Sequence, residues 1–285
     1  MAVNEIYSKS ALYKLNRRGL PYKYDLNIYR GCTHNCKYCY AVKSHKYMGS
    51  NEFSKDIFVK KNIAELLDQE LAAPGWTGNV INIGGVCDSY QHVEKKYQLM
   101  RDVLKVMIKY KNPVVISTKS DLIIRDFDLI EELSHSTLVN IAVCITTCDG
   151  KISEKVEPGA SLPGSRVDVL KELSRTQAYT GFHFMPILPF LSDDNNSLEQ
   201  LVRWASEAEV SYMLSGFLYL TGGIKKRYLD FIKKEYPDFY TGYLDLYHRG
   251  GADKGYKNRV HTYLALMRKK YNVNNNYSSF FLGYE

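Results

Sequence analysis

Apolar and polar positions follow two alternating periods through the middle of the chain. "NVINIGG" (79–85), "PVVIST" (113–118), "LVNIAVCITT" (138–147), "YTGFHFMPIL" (179–188) and "VSYMLSGFLYL" (210–220) are short β-branched runs that predict buried strands. Between them, "VEKKYQLMRDVLKVMIKY" (93–110) sets Tyr97, Met100, Val103, Leu104 and Met107 at helical spacing, which reads as a core-facing stripe. "RDFDLIEELS" (125–134), "SRVDVLKELSRT" (165–176) and "SLEQLVRWASEAE" (197–209) repeat that period. Upstream, "KYDLNIYR" (23–30) and "KNIAELLDQELAA" (61–73) supply a first strand and its helix. Strands alternating with helices predict an α/β fold with a parallel sheet under a helical layer. Six such steps, with polar residues gathered at the strand ends, predict an open, partial (β/α)6 barrel rather than a closed eight-stranded one. The barrel with its N-terminal arm is expected over residues 1–220. A helical C-terminal extension packed on the barrel is expected over 221–285.

Composition adds little to that picture, but charge does. The 285 residues are 45% hydrophobic and 24% charged, ordinary for a folded domain of this size. No run is long and apolar enough to span a membrane, and "MAVNEIYSKSALYKLNRRG" lacks the apolar core of a signal peptide. A cytoplasmic location is expected, where closely spaced cysteines point to metal or catalysis rather than disulfides. The net charge of +7 is uneven: residues 1–61 hold 12 Lys and Arg against 4 Asp and Glu, and residues 224–285 hold 12 against 6. Both ends are also rich in tyrosine. Basic surface with interleaved aromatics suits a nucleic-acid partner, and it equally suits a solvated surface over a tyrosine-rich helical core.

The chemistry concentrates in "YRGCTHNCKYCYA" (29–41), where Cys32, Cys36 and Cys39 form C-x3-C-x2-C. A structural zinc site wants four ligands, usually as two close pairs, and would need Cys144 and Cys148 or a crowded His34 to complete it. A redox pair accounts for Cys36 and Cys39 but leaves Cys32 unexplained. A [4Fe–4S] cluster fits better, because three thiolates hold three irons and the fourth iron stays open to an outside ligand.

This spacing, with an aromatic residue (Tyr38) just before the last cysteine, resembles the radical S-adenosylmethionine (SAM) superfamily. The resemblance implies a partial barrel, a [4Fe–4S] cluster held by Cys32, Cys36 and Cys39, and reductive cleavage of SAM to a 5′-deoxyadenosyl radical. It implies that Gly84 and Gly85, ending the second strand, meet the SAM amino group. At the next strand ends it suggests Lys119 or Arg166 for the SAM carboxylate, and Ser117, Thr146 and Thr147 for the ribose. An electron donor such as a flavodoxin or ferredoxin is implied as a partner.

Within the superfamily, "NIYRGCTHNCKYCYA", "STKSDLIIRD" and "EPGASLPGSR" resemble the spore photoproduct lyase-like group over about residues 23–190. In those lyases the radical takes hydrogen from a DNA thymine lesion, and a cysteine returns hydrogen to the product. Tyr38 and Tyr40 match the tyrosines beside the cluster that help relay it. Cys87, just after the second strand, stands near the donor position. The leading expectation is therefore a lyase-like enzyme acting on nucleic acid or a nucleotide. A radical SAM enzyme acting on a peptide or small molecule is the alternative enzyme class, and an iron–sulfur nucleic-acid sensor is the non-enzymatic one.

Overall fold

Buried β-branched runs pair side by side because each satisfies its neighbour's backbone while the face toward the helices stays apolar. The computed structural model describes all residues except 17, 18, 51, 249 and 282–285, so that part of the expected extension lies outside the described residues. In chain order the elements are β1 (Ala2–Ile6), β2 (Leu12–Lys14), β3 (Tyr24–Leu26), β4 (Tyr29–Arg30), β5 (Asp56–Lys60), α1 (Ile63–Ala72) and β6 (Ile81–Ile83). There follow α2 (Glu94–Tyr97), α3 (Leu99–Tyr110), β7 (Val114–Thr118), α4 (Phe127–Ser134), β8 (Val139–Cys144), α5 (Gly150–Val156) and α6 (Pro163–Leu173). The chain continues through β9 (Tyr179–Ile187), α7 (Asn195–Glu207), β10 (Tyr212–Phe217), α8 (Gly222–Glu235), α9 (Tyr240–Leu246) and α10 (Lys254–Lys270).

Strands β3, β6, β7, β8, β9 and β10 run parallel in that order, with β2 antiparallel on the β3 edge. This is the expected partial barrel. A second sheet, β1-β5-β4, sits apart from it. The single helix expected over 93–110 is broken at Gln98, which takes a left-handed φ of 50°. Buried Glu94 explains the break. Its carboxylate accepts the Leu99 and Met100 N–H groups at 3.1 and 3.0 Å and so starts a new helix there.

Register sorts the barrel side chains into two faces. Leu26, Ile83, Ile116 and Ile141 face the helices and join the main core. The opposite face is polar and layered: Asp25, Asn82, Val115 and Asn140 lie in one row, and Ser117, Ala142, Gly181 and Tyr212 in the next. Asn82 donates to Asp25 at 2.6 Å, and the Tyr212 hydroxyl donates to Asn140 at 2.8 Å. Tyr212 reaches across because Gly181 has no side chain; a Cβ there would meet the tyrosine ring.

His183 stands one layer up, beside Cys144, with its Nε2 3.2 Å from the Tyr212 hydroxyl and Tyr277 edge-on to its ring. Burial pushes this imidazole down to about 4, with repulsion from Lys119 adding to the shift. The fold therefore keeps His183 neutral where the unfolded chain would be protonated below its ordinary value of 6.5. Its stabilisation is complete above that value and is lost as pH falls toward about 4, by about 3 kcal/mol at most. His183→Gln should flatten that part of the pH profile of the urea midpoint. A profile unchanged by the substitution would show that the imidazole titrates normally.

After β10 the chain builds a second core. Ile224, Tyr228, Leu229 and Ile232 of α8 and Tyr243 of α9 pack with Tyr247, Leu188, Leu218 and Leu220. Tyr228, Tyr243 and Tyr247 are fully buried, so these tail tyrosines serve the core rather than a base-stacking surface. The tail then returns to the barrel. Asn274 accepts the Met213 N–H at 2.7 Å, and Phe281 packs with Val80, Val115 and Leu138 at the start of the strands. Among the described residues no helix is long and apolar enough to cross a membrane.

Candidate functional site

The cysteine loop leaves β4 through Gly31, whose φ of +81° and close approach to the Asp56 carbonyl exclude a side chain. The Cys32 N–H donates to the Phe53 carbonyl at 3.0 Å, and the Cys39 N–H donates to the Cys36 carbonyl at 3.2 Å. All three thiols are free, with Cys32 and Cys36 buried and Cys39 half-buried. Residues far away in sequence set the loop's shape. Gln91 donates to the Gly31 carbonyl at 3.0 Å and accepts the Thr33 N–H at 2.9 Å. Asp88 lies 3.4 Å from His34 Nδ1 and accepts from the Thr118 hydroxyl, the Lys119 N–H and the Tyr90 N–H at 2.7–2.9 Å. One carboxylate thus ties the cysteine loop to the end of β7.

A buried ion network lies beneath. Glu94 accepts from the Tyr29 hydroxyl at 2.5 Å and from Arg125 at 2.7 Å, and Arg125 also bonds Asp126. Glycine is dictated at both positions after β6. A Cβ on Gly84 would lie 2.8 Å from the Ser117 carbonyl, and one on Gly85 2.5 Å from the Asp25 carboxylate. Burial raises the pKa of all three cluster-loop thiols. Their thiolate form needs a strong positive charge close by, which bound iron supplies. The donor set fits a [4Fe–4S] cluster with one iron left open. The site also suits a polar ligand, because the Thr146 hydroxyl is buried and has no partner among the described residues.

The chain matches the sequence profile of the Radical SAM superfamily over residues 26–205. It belongs to that superfamily. An uncharacterized protein of Mycobacterium tuberculosis is 31% identical over 251 residues, covering 87% of this chain and 74% of the relative. Another, from Methanocaldococcus jannaschii, is 27% identical, covering 83% and 85%. Spore photoproduct lyase complexed with dinucleoside spore photoproduct shares the fold at a TM-score of 0.70 and 12% identity, over 94% of this chain and 79% of the other. Streptococcus suis SuiB bound to S-adenosylmethionine shares it at 0.52 and 14%, over 88% and 49%. The cofactors of this radical SAM protein are a [4Fe–4S] cluster and SAM.

The structure sorts the other expected site residues. Lys119 projects at the barrel mouth with its ammonium 6.0 Å from the centre of the Tyr38 ring, and among the described residues it makes no ion pair. Burial works against its charge, but Cys144, Glu157 and Cys36 outweigh burial and hold its pKa above the ordinary lysine value. Ser117 is half-buried beside Gly84. The Tyr38 hydroxyl donates to Glu157, and the Tyr40 hydroxyl donates to the Gly85 carbonyl while its ring stays 68% exposed. Thr147 is buried, and its hydroxyl accepts the Asp149 N–H at 3.1 Å, so it shapes a turn.

Arg166 corrects the expectation that it meets the SAM carboxylate. Its side chain is fully buried, 2.6 Å from Glu157 and bonded to the Ser161 and Cys144 carbonyls at 2.7 and 2.9 Å. It therefore acts through Glu157 and Tyr38, as a positioning residue. Cys87 is 5% exposed, and its thiol donates to the Tyr29 carbonyl at 3.2 Å. Burial pushes this thiol up to about 12, so it carries its hydrogen at neutral pH. The loop clamps Asp88 and Gln91 and the buried Glu94 are the functional residues that motif reading missed. Their one signal was a run of polar residues, "DSYQHVE", directly after a buried strand.

Proposed function

We propose that this radical SAM protein is a lyase-like enzyme acting on nucleic acid or a nucleotide-like substrate. The observation that carries the reading is Cys87: a buried thiol just after the Gly84–Gly85 segment, whose hydrogen bond to the Tyr29 carbonyl sets it against the start of the cysteine loop. When bound, the cluster and SAM supply a carbon-centred radical able to take hydrogen from an unactivated position. When SAM is bound, Lys119 would neutralise its carboxylate, the Gly84–Gly85 backbone would meet its amino group, and Ser117 and Thr146 would hold its ribose. Cys87 would return the thiol hydrogen atom to the substrate radical, and Tyr40, whose hydroxyl donates to the Gly85 carbonyl, would carry hydrogen back to the resulting thiyl radical. The polar rows from Asp25 to Tyr212 offer hydrogen-bonding partners to a base rather than an apolar pocket. The basic helix α8, with Lys225, Lys226, Arg227, Lys233 and Lys234, supplies charge for a polyanion.

Binding of a lesion-bearing oligonucleotide by the reconstituted protein tests the substrate. With two phosphates contacted, raising salt from about 50 to about 200 mM should weaken binding about tenfold. The oligonucleotide should also raise 5′-deoxyadenosine formation. Salt-independent binding without stimulation would remove the nucleic-acid assignment and leave SAM cleavage standing.

A further inference from the structure

Arg30 and Lys60 lie on one face of the small sheet. Arg30 stands opposite Phe58 in the β4–β5 pair, Lys60 follows two residues later, and its N–H donates to the Ile28 carbonyl at 3.2 Å. The alternate residues Ile57 and Val59 are buried on the other face. Lys60 is only 9% exposed, yet among the described residues its ammonium has neither a hydrogen bond nor an ion pair. Lysine is almost never buried so deeply unless it is paired. The carboxylate of Asp25 acts on it electrostatically, but Asn27 and Asn82 each donate to that carboxylate at 2.6 Å. Burial pushes the Lys60 amine down to about 8, Arg30 repels it further, and Cys87 and Asp25 pull the other way. The Cys87 thiol points at the Tyr29 carbonyl, between Ile28 and Arg30, so the two cations and the thiol share one neighbourhood.

Two cations held together on one mostly buried face are unfavourable unless an anion completes the group. A guanidinium fork beside a compact ammonium suits the several oxygens of a phosphate. We propose that Arg30 and Lys60 form a subsite beside Cys87 that receives a phosphate group of the substrate. The subsite rests on the nucleotide reading for its substrate class. It places a sugar–phosphate link where the attached base comes within reach of the thiol.

The test uses the reconstituted holoenzyme with three probes: thymidylyl-thymidine, its uncharged methylphosphonate analogue, and pyrophosphate. Thymidylyl-thymidine should bind about tenfold tighter than the uncharged analogue, the effect of one well-made charged contact. Lys60→Met should erase that difference with the cluster absorbance unchanged, and Lys60→Arg should keep most of it. On the unmodified protein, the dinucleotide should slow acylation of Lys60, followed by mass spectrometry. Protection by pyrophosphate but not by the dinucleotide would keep the subsite and overturn the nucleotide substrate. Equal affinity for charged and uncharged analogues, with no protection by either anion, would overturn the subsite.

Discussion

Cys36→Ala should reduce 5′-deoxyadenosine formation to the level of a protein-free control. In the ligand set proposed for the cluster, Cys36 would supply one of three thiolates on a loop whose shape is already set, and among the described residues the loop holds only Cys32 and Cys39 besides it. The check is anaerobic reconstitution with iron and sulfide, followed by reduction in the presence of SAM and chromatography of the products. A comparison variant separates ligation from support. Asp88→Asn keeps every cysteine but weakens the anchor between His34 and the β7 end, so the loss should be about 10- to 100-fold, typical of groups that orient ligands. Cys36→Ala protein that binds four irons and still cleaves SAM would overturn the ligand assignment.

Glu157→Gln should destabilise the fold by about 3–5 kcal/mol, the range for leaving a buried charge without its partner. Both Glu157 and Arg166 have fully buried side chains 2.6 Å apart. Burial alone would raise the Glu157 carboxyl, but Arg166 and then Lys119 outweigh it and hold the pKa below the ordinary glutamate value. The glutamine keeps the shape and removes the charge, so the remaining penalty falls on the arginine. Combining it with Arg166→Met should recover most of the loss, because coupled partners are not additive. Urea unfolding of the single and double variants measures this. A single variant as stable as the parent would show that the pair does not hold the loop under Tyr38.

The barrel was legible in the sequence because the helix-facing side of its strands is apolar throughout. Ile81, Ile83, Val114, Ile116, Ile141 and Val143 are buried at alternate positions of short β-branched runs, and the helices between them keep a one-sided stripe. The small sheet was not legible. β1 carries Ala2–Ile6 with mostly exposed side chains, and β5 reads as five ordinary residues until β4 and β1 flank it. The cysteine motif announced the cluster because ligand spacing is a local property. Asp88, Gln91 and Glu94 act on backbone groups or side chains about 55–65 residues away in sequence, and no spacing rule records that. Arg166 shows the opposite failure. A cation after a strand end invites a carboxylate from the ligand, and here the fold had already provided one in Glu157.

The returning tail has a mechanical consequence for a sheet that never closes. Asn274 accepts the Met213 N–H at the start of β10, while Phe281 and Tyr277 pack with Tyr22, Val80 and Leu138 across the strand starts. These last aromatic residues act as a hoop around the base and stand in for the strands that a complete barrel would add. The curvature of the open sheet is thus pinned at its base, at the end opposite the rim that bears the cysteine loop and Lys119.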